Sequence, residues 1–279
     1  MTQHAHSHGH QHAHHEEHLA DLLDLDAALL RGYLDEVTAW LESHLPGEPS
    51  AIADLGAGTG TGSVALARRF PSAHVSALDR SELMLDRVAT AVREHGVAER
   101  VSTVRADLDD GLPALGTVEL AWASSSLHEV ADPGRLLRDV HTALAPGGVL
   151  VVVEMDGIPR FLPDDLGLGT PGLERRCHEA VARAGWNAHP DWRSHLERAG
   201  FEVTGQRRFE LAPDPAAEGT VRYAHGYLSR IHRALESELD TDDLGVLDRL
   251  LSADDPESLA HRTDLEPRTS RTAWVARRN

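Results

Sequence analysis

Ala51-Ile52-Ala53-Asp54-Leu55-Gly56-Ala57-Gly58-Thr59-Gly60-Thr61-Gly62 decides the fold of this 279-residue chain. A short apolar stretch ends in an acid, a turn of alternating glycines follows, and Ser63-Val64-Ala65-Leu66-Ala67-Arg68-Arg69-Phe70 reads as a helix. Strand, glycine turn and helix in that order place a ligand site at the carboxyl end of the first strand of an open α/β sheet. Glycine supplies the positive φ such a turn needs and lets a ligand approach the main chain. A dinucleotide fingerprint, G-x-G-x-x-G, is not completed. Counted from Gly56 the last position is Thr61, and counted from Gly58 it is Ser63.

Working outward, His74–Asp79 reads as a second strand, again ending in an acid. Asp79 stands about 20 residues beyond the turn, where a carboxylate accepts hydrogen bonds from a ribose diol. Capping of the following helix falls to Ser81. Val101–Asp107 reads as a third strand with the same ending, so Asp54, Asp79 and Asp107 line one edge of the sheet. The spacing Asp54-x-Gly56-x-Gly58-x-Gly60 resembles motif I of the class I S-adenosylmethionine-dependent methyltransferases. That resemblance implies S-adenosylmethionine as cofactor. It gives Asp54, Gly56, Ala57, Gly58 and Gly60 to the turn and the amino end of the cofactor. Asp79, Arg80 and Met84 fall on the ribose side, Asp107 and Leu108 at the adenine, and Ser124 at the methionine moiety.

Val118–Ser125 reads as strand four, running into Ser126–Val130. Asp132-Pro133-Gly134 opens a helix, with proline in its first turn, and Pro146-Gly147-Gly148 stops it. Val149–Glu154 is an all-apolar strand ending in an acid, as a strand buried on both faces should be. Leu144-Ala145-Pro146-Gly147-Gly148-Val149-Leu150 carries the family resemblance further. Ala199–Val203 and Ser270–Arg277 then read as a closing antiparallel edge hairpin. The expected fold is α/β, a Rossmann-like, mostly parallel seven-stranded sheet with helices on both faces and an antiparallel last strand. A helical cap over 19–47 precedes the methyltransferase domain of 48–279. Helical insertions at about 157–198 and 213–266 form a lid.

Composition agrees with a single enzyme. Hydrophobic content of 41% supports one large core. No run of about 18 apolar residues crosses a membrane, and no secretory signal is visible. Cys177 is the lone cysteine, so a reducing, cytoplasmic setting is the simplest account. The net charge of −18 and the absence of a basic stripe exclude a phosphate backbone as partner. Residues 1–18 hold His4, His6, His8, His10, His12, His14, His15 and His18. Such a tract builds no core and is expected to be disordered. Imidazoles suit loose transition-metal binding, although no catalytic metal is expected. A homodimer is compatible with the chain.

The acceptor is expected to be a small molecule. Its candidate contacts are Tyr33 on the cap, His128 beyond strand four, Glu154 at the end of strand five, and Tyr223 and Tyr227 on one face of an insertion helix. Arg160, Phe161, Trp186, His189 and Trp192 occupy the first insertion. Methyl transfer from a sulfonium is an in-line displacement that rests on positioning, and a base is needed only if the nucleophile must lose a proton. His128 is the candidate base, with pocket shaping as its other reading; Glu154 is a second base candidate or an anchor for an acceptor amine. Two other readings stay open. One is an NAD-dependent oxidoreductase on the same sheet. The other is a non-catalytic, methyltransferase-like protein that responds to metal or binds a partner.

Overall fold

A computed structural model describes residues 5–30, 32–185 and 190–279, with the side chains of the first helix described from Glu16 onward. In chain order the elements are α1 (Ala5–Leu29), α2 (Tyr33–Glu42), β1 (Ala51–Leu55), α3 (Thr61–Arg69), β2 (His74–Asp79), α4 (Glu82–Glu94), β3 (Val101–Arg105) and β4 (Val118–Ser124). They continue with α5 (Pro133–Ala143), β5 (Leu144–Met155), α6 (Leu173–Arg183), α7 (Arg193–Arg198), β6 (Glu202–Leu211), α8 (Thr220–Ala234), α9 (Thr241–Leu251) and β7 (Thr269–Arg277). Local chemistry sets several of these starts. Asp132 caps α5 by accepting from the Arg135 amide at 2.9 Å, with Pro133 in the first turn. Ser81 caps α4 through the Met84 amide.

The strands form one sheet in the order β3-β2-β1-β4-β5-β7-β6. Only β7 runs against its neighbours, pairing antiparallel with both β5 and β6. The order reverses direction between β1 and β4, and ligands of such sheets bind in the crevice that this reversal opens at the carboxyl ends. One face of the sheet buries Ile52, Val75, Leu120, Val151 and Val275 beneath α2, α3 and α4. The other buries Leu78, Leu150, Val152 and Trp274 beneath α5 and α7. A third cluster lies apart from both. It joins Leu22 of α1 to Phe161, Leu173, Cys177, Tyr223, Leu228, Ile231 and Leu247, so the insertions form a lid with its own core.

Three expectations are corrected. The tract read as a disordered tail lies within α1 from Ala5 onward, because helix formation propagates from an anchored turn at little cost per residue. Residues 1–4 lie outside the described residues, as do Trp186 and His189. Pro146-Gly147-Gly148 does not precede strand five but lies inside it, as an irregularity where the pairing jumps from Val118–Leu144 to Leu120–Val149. A Cβ at Gly148 would stand 2.8 Å from the Ala145 carbonyl oxygen, so only glycine fits. Finally, the stretch 192–198 is no part of the lid. Trp192 and Leu196 are buried against the sheet, because α7 is the crossover helix that two strands running the same way require.

Candidate functional site

The glycine turn binds itself to the second strand. The Gly56 and Ala57 amides both donate to the Leu78 carbonyl, at 2.9 and 2.8 Å. Gly56, Gly58 and Gly60 hold φ values of 76°, 53° and 92°, in the region that side chains rarely adopt. Each also has a close neighbour where a Cβ would go. Ser126 stands 2.6 Å from that position on Gly56, Val88 2.9 Å from that on Gly60, and the Leu23 side chain of α1 3.3 Å from that on Gly58.

Asp79 completes the turn. One carboxylate oxygen accepts from the Gly58 amide and the other from the Ser81 amide, both at 2.9 Å. Each oxygen keeps a second lone pair. Burial raises the Asp79 pKa against those two amides. Asp54 lies beneath the turn, 2% exposed, accepting from the Ser63 hydroxyl at 2.6 Å. Burial pushes its carboxyl up to about 7, and the Ser63 hydroxyl only partly opposes this. Beyond β3, Asp107 accepts from the Asp109 amide, and the Ala106 amide donates to the Asp79 carbonyl, tying the ends of β2 and β3 together. Leu108 and Met84 are buried nearby, and Arg80 is exposed. Ser124 ends β4. Ser125 follows with φ of 53°, the sole non-glycine with positive φ among the described residues, and its buried hydroxyl has no partner. Such strain marks sites where the surroundings over-determine the backbone. The structure therefore brings the predicted turn, the three acids and Ser124 to one edge. Its close-approach glycines and charged acceptors fit S-adenosylmethionine.

His128 stands beside this edge in a clamp of two acids. Its Nδ1 lies 2.8 Å from Glu154 and its Nε2 3.4 Å from Glu129. Burial alone would lower the His128 pKa. The hydrogen bonds to Glu129 and Glu154, with the charges of both acids, outweigh burial and push it up to about 10. Two expectations change here. His128 is a held cation at neutral pH and has no lone pair with which to act as a base. Glu154, 1% exposed, spends one oxygen on His128 and the other on the Leu127 amide at 2.9 Å, so it is no open anchor for an amine.

Tyr33, Tyr223 and Tyr227 gather around two residues that the sequence did not single out. Arg271, at the start of β7, donates through one terminal nitrogen to both oxygens of Asp26 on α1, at 2.7 and 2.6 Å. Its other terminal nitrogen reaches the Tyr33 hydroxyl at 3.4 Å. The Tyr223 hydroxyl donates to Asp26, and Tyr227 packs on Tyr223 with ring centroids 5.1 Å apart. Burial pushes the Tyr227 phenol up to about 12 and the Tyr223 phenol well above its ordinary value, so both are donors. Arg271 opens the buried run that ends in Trp274-Val275-Ala276, and a charge heading an apolar strand was the signal that could have revealed it.

The Methyltransferase domain family matches residues 52–148, the span from β1 into β5. A trans-aconitate 2-methyltransferase of Methylobacterium radiotolerans is 33% identical over 202 residues, covering 71% of this chain and 70% of the relative. The chain belongs to the class I S-adenosylmethionine-dependent methyltransferases. A trans-aconitate 2-methyltransferase of Variovorax paradoxus is 36% identical, covering 47% of this chain and 50% of the relative. A malonyl-[acyl-carrier protein] O-methyltransferase of Dechloromonas aromatica is also 36% identical, over 38% of this chain and 37% of the relative. The chain spans about half the length of the curated relatives it matches. Among solved structures, a methyltransferase of Geobacter sulfurreducens in complex with S-adenosylhomocysteine superposes with a TM-score of 0.50 at 19% identity. That superposition covers 91% of this chain and 97% of the other. A dehydrogenase on the same sheet is thereby set aside, in line with the incomplete dinucleotide fingerprint.

Proposed function

We propose that this protein transfers the methyl group of S-adenosylmethionine to a carboxylate oxygen of an acidic small molecule. The observation that carries the reading is the His128 clamp. The histidine expected to serve as base is held as a cation between Glu129 and Glu154. Glu154 is buried and tied to His128 and the Leu127 amide, and the nearby phenols keep their protons. An acceptor that must lose a proton finds no taker among these groups, whereas a carboxylate is already ionised at neutral pH. The trans-aconitate and malonyl names of the relatives agree with an acidic acceptor.

The residues that would hold the cofactor are the glycine turn with Asp54, Asp79 with Arg80 and Met84, Asp107 with Leu108, and Ser124. When bound there, the cofactor supplies a methyl group made electrophilic by its sulfonium. The protein's part is alignment of the acceptor oxygen and exclusion of water. His128, as a cation near an anionic acceptor, offsets the repulsion of the surrounding acids. We read the setting as cytoplasmic, supported by one fully buried cysteine; among the described residues no helix is long and apolar enough to cross a membrane. For the histidine tract we keep transition-metal binding. His6, His10, His14 and His18 recur every four residues in the sequence, and imidazole is the commonest ligand of such ions.

The test is a screen with methyl-labelled cofactor against small mono-, di- and tricarboxylic acids. A methyl ester releases its label as volatile methanol on mild alkali treatment. Label recovered only in alkali-stable products would overturn carboxylate transfer.

A further inference from the structure

We infer that Arg271, Tyr33 and Tyr223 form a binding cradle for a carboxylate of the acceptor, filled in this structure by the chain's own Asp26. The inference rests on the acidic-acceptor reading and names the side chains that would recognise it.

The cradle is built for a carboxylate. Arg271 is 5% exposed and Tyr223 1%. Both oxygens of Asp26 fall on the same terminal nitrogen of Arg271, and one also receives the Tyr223 hydroxyl. This leaves the Arg271 Nε buried and without a partner. A guanidinium pairs best with a carboxylate lying flat against two of its nitrogens. Asp26, tethered to a helix, does not reach that arrangement. A free carboxylate entering against Nε and its neighbouring nitrogen would satisfy the orphaned donor as well. Of the two partners the acid is the more accessible, with its side chain 16% exposed against 6% for Arg271, so it is the partner that leaves towards solvent.

Position supports the same reading. Arg271 lies opposite Met155 in the β5–β7 register, one residue beyond the Glu154 that holds His128. The Tyr227 hydroxyl lies 4.0 Å from the Met155 sulfur. The cradle thus stands at the carboxyl edge of the sheet, on the lid side. α1 carries both Asp26 in the cradle and Leu23 against Gly58. A group approaching the backbone of Gly58 meets Leu23 first. Beside the cradle, α1 and α8 border a cavity of about 300 Å³, lined by Leu22, Leu25 and His225 among others. Movement of α1 away from the turn withdraws Asp26 and leaves Arg271 a buried cation in need of an anion, a costly state that an acceptor carboxylate relieves.

Asp26→Asn removes the competing charge. Calorimetric titration with trans-aconitate, in the presence of S-adenosylhomocysteine, should show binding about tenfold tighter than wild type. KM for an accepted carboxylate should fall with kcat retained. Adding Arg271→Met to Asp26→Asn should abolish the gain. Equal or weaker binding by a folded Asp26→Asn protein overturns the cradle. If Asp26→Asn does not fold, Tyr223→Phe serves instead. It should weaken trans-aconitate binding several-fold with an unchanged far-ultraviolet circular dichroism spectrum, and unchanged affinity overturns the proposal. Carboxylate methylation indifferent to all three substitutions would leave the proposed function standing and remove the cradle. Carboxylate binding that follows the substitutions without any ester product would do the reverse.

Discussion

At the residue scale, His128 and Asp54 make opposite predictions about pH. The folded pKa of His128 is raised to about 10. Its contribution to stability is therefore fully present below about 6.5 and is lost as pH rises through about 10. His128→Gln should lower the melting temperature at pH 7 and close much of that gap by pH 10.5, as followed by thermal melts across that range. The rate of methyl transfer by wild type should not decline between pH 8 and 5.5, since no neutral imidazole is consumed. A fall through pH 6.5 at saturating cofactor that His128→Gln abolishes would restore the base role. The folded pKa of Asp54 is also raised, to about 7, chiefly by burial. For an acid this means that the folded state favours the proton, so stability is lost as pH rises through about 7. Asp54→Asn should raise the melting temperature at pH 8 and leave it nearly unchanged at pH 5. Cofactor affinity should fall in the same variant at pH 8, where the wild-type carboxylate is ionised, and change little at pH 5, which equilibrium dialysis would show. Asp54 and Asp79 were legible because each sits at a strand end announced by its own pattern, and His128 because it follows β4 within four residues. Asp26 and Arg271 were not, because each makes sense only beside a partner 245 residues away.

At the element scale, two glycines hold the site and the sheet by different means. Gly58 has φ of 53° and Leu23 against it. Gly58→Val should keep near-normal circular dichroism, because the sheet continues on either side, while calorimetric cofactor binding disappears. Persistent binding would mean that the turn is merely structural. Gly148→Ala acts on the irregularity in β5, where the new methyl meets the Ala145 carbonyl oxygen at 2.8 Å and the Glu119 carbonyl oxygen at 3.2 Å. A cost of about 2–3 kcal/mol is expected for overpacking against backbone, seen as a lower denaturation midpoint at unchanged slope. β1, β2, β3, β4 and β7 were readable to within a residue or two, whereas β6, read over Ala199–Val203, spans Glu202–Leu211, because its largely exposed residues give no apolar run. The β5 irregularity was not readable, because proline and glycine are read as punctuation between elements and here lie within one. The assignment of α7 failed for a related reason. A six-residue helix gives too little periodicity to show which of two cores it joins.

At the scale of the whole molecule, much of the sheet was visible in the sequence because β1, β2, β3 and β5 repeat one design, an apolar run with an acid at or near its end. The lid was visible only as helical composition. Its packing depends on contacts among α1, α6, α8 and α9, segments far apart in the chain, and no local pattern states them. The N-terminal helix shows this most plainly. Read alone, residues 1–18 are a polar tract without a core, yet α1 runs from Ala5 into Leu22 and Leu23, which reach the lid core and the glycine turn. The charge of −18 is likewise a property of the whole, and an anionic acceptor must approach against it. The cations of the cleft are thus set against the field of the rest of the surface.

The lid's separate core carries one more consequence. Cys177, the chain's single thiol, is 0% exposed within it, and burial pushes its pKa up to about 12. A disulfide reagent reaches that sulfur only while the lid cluster is open, which makes the thiol a built-in clock for this event. Labelling at pH 8, followed across mild denaturant, should yield an opening free energy below that of global unfolding, as expected for a region with its own small core. Coincident values would show that lid and sheet come apart together. Because α1 contributes Leu22 to the same cluster, the clock should also slow or quicken when ligands move that helix, reporting occupancy of the cleft without any turnover.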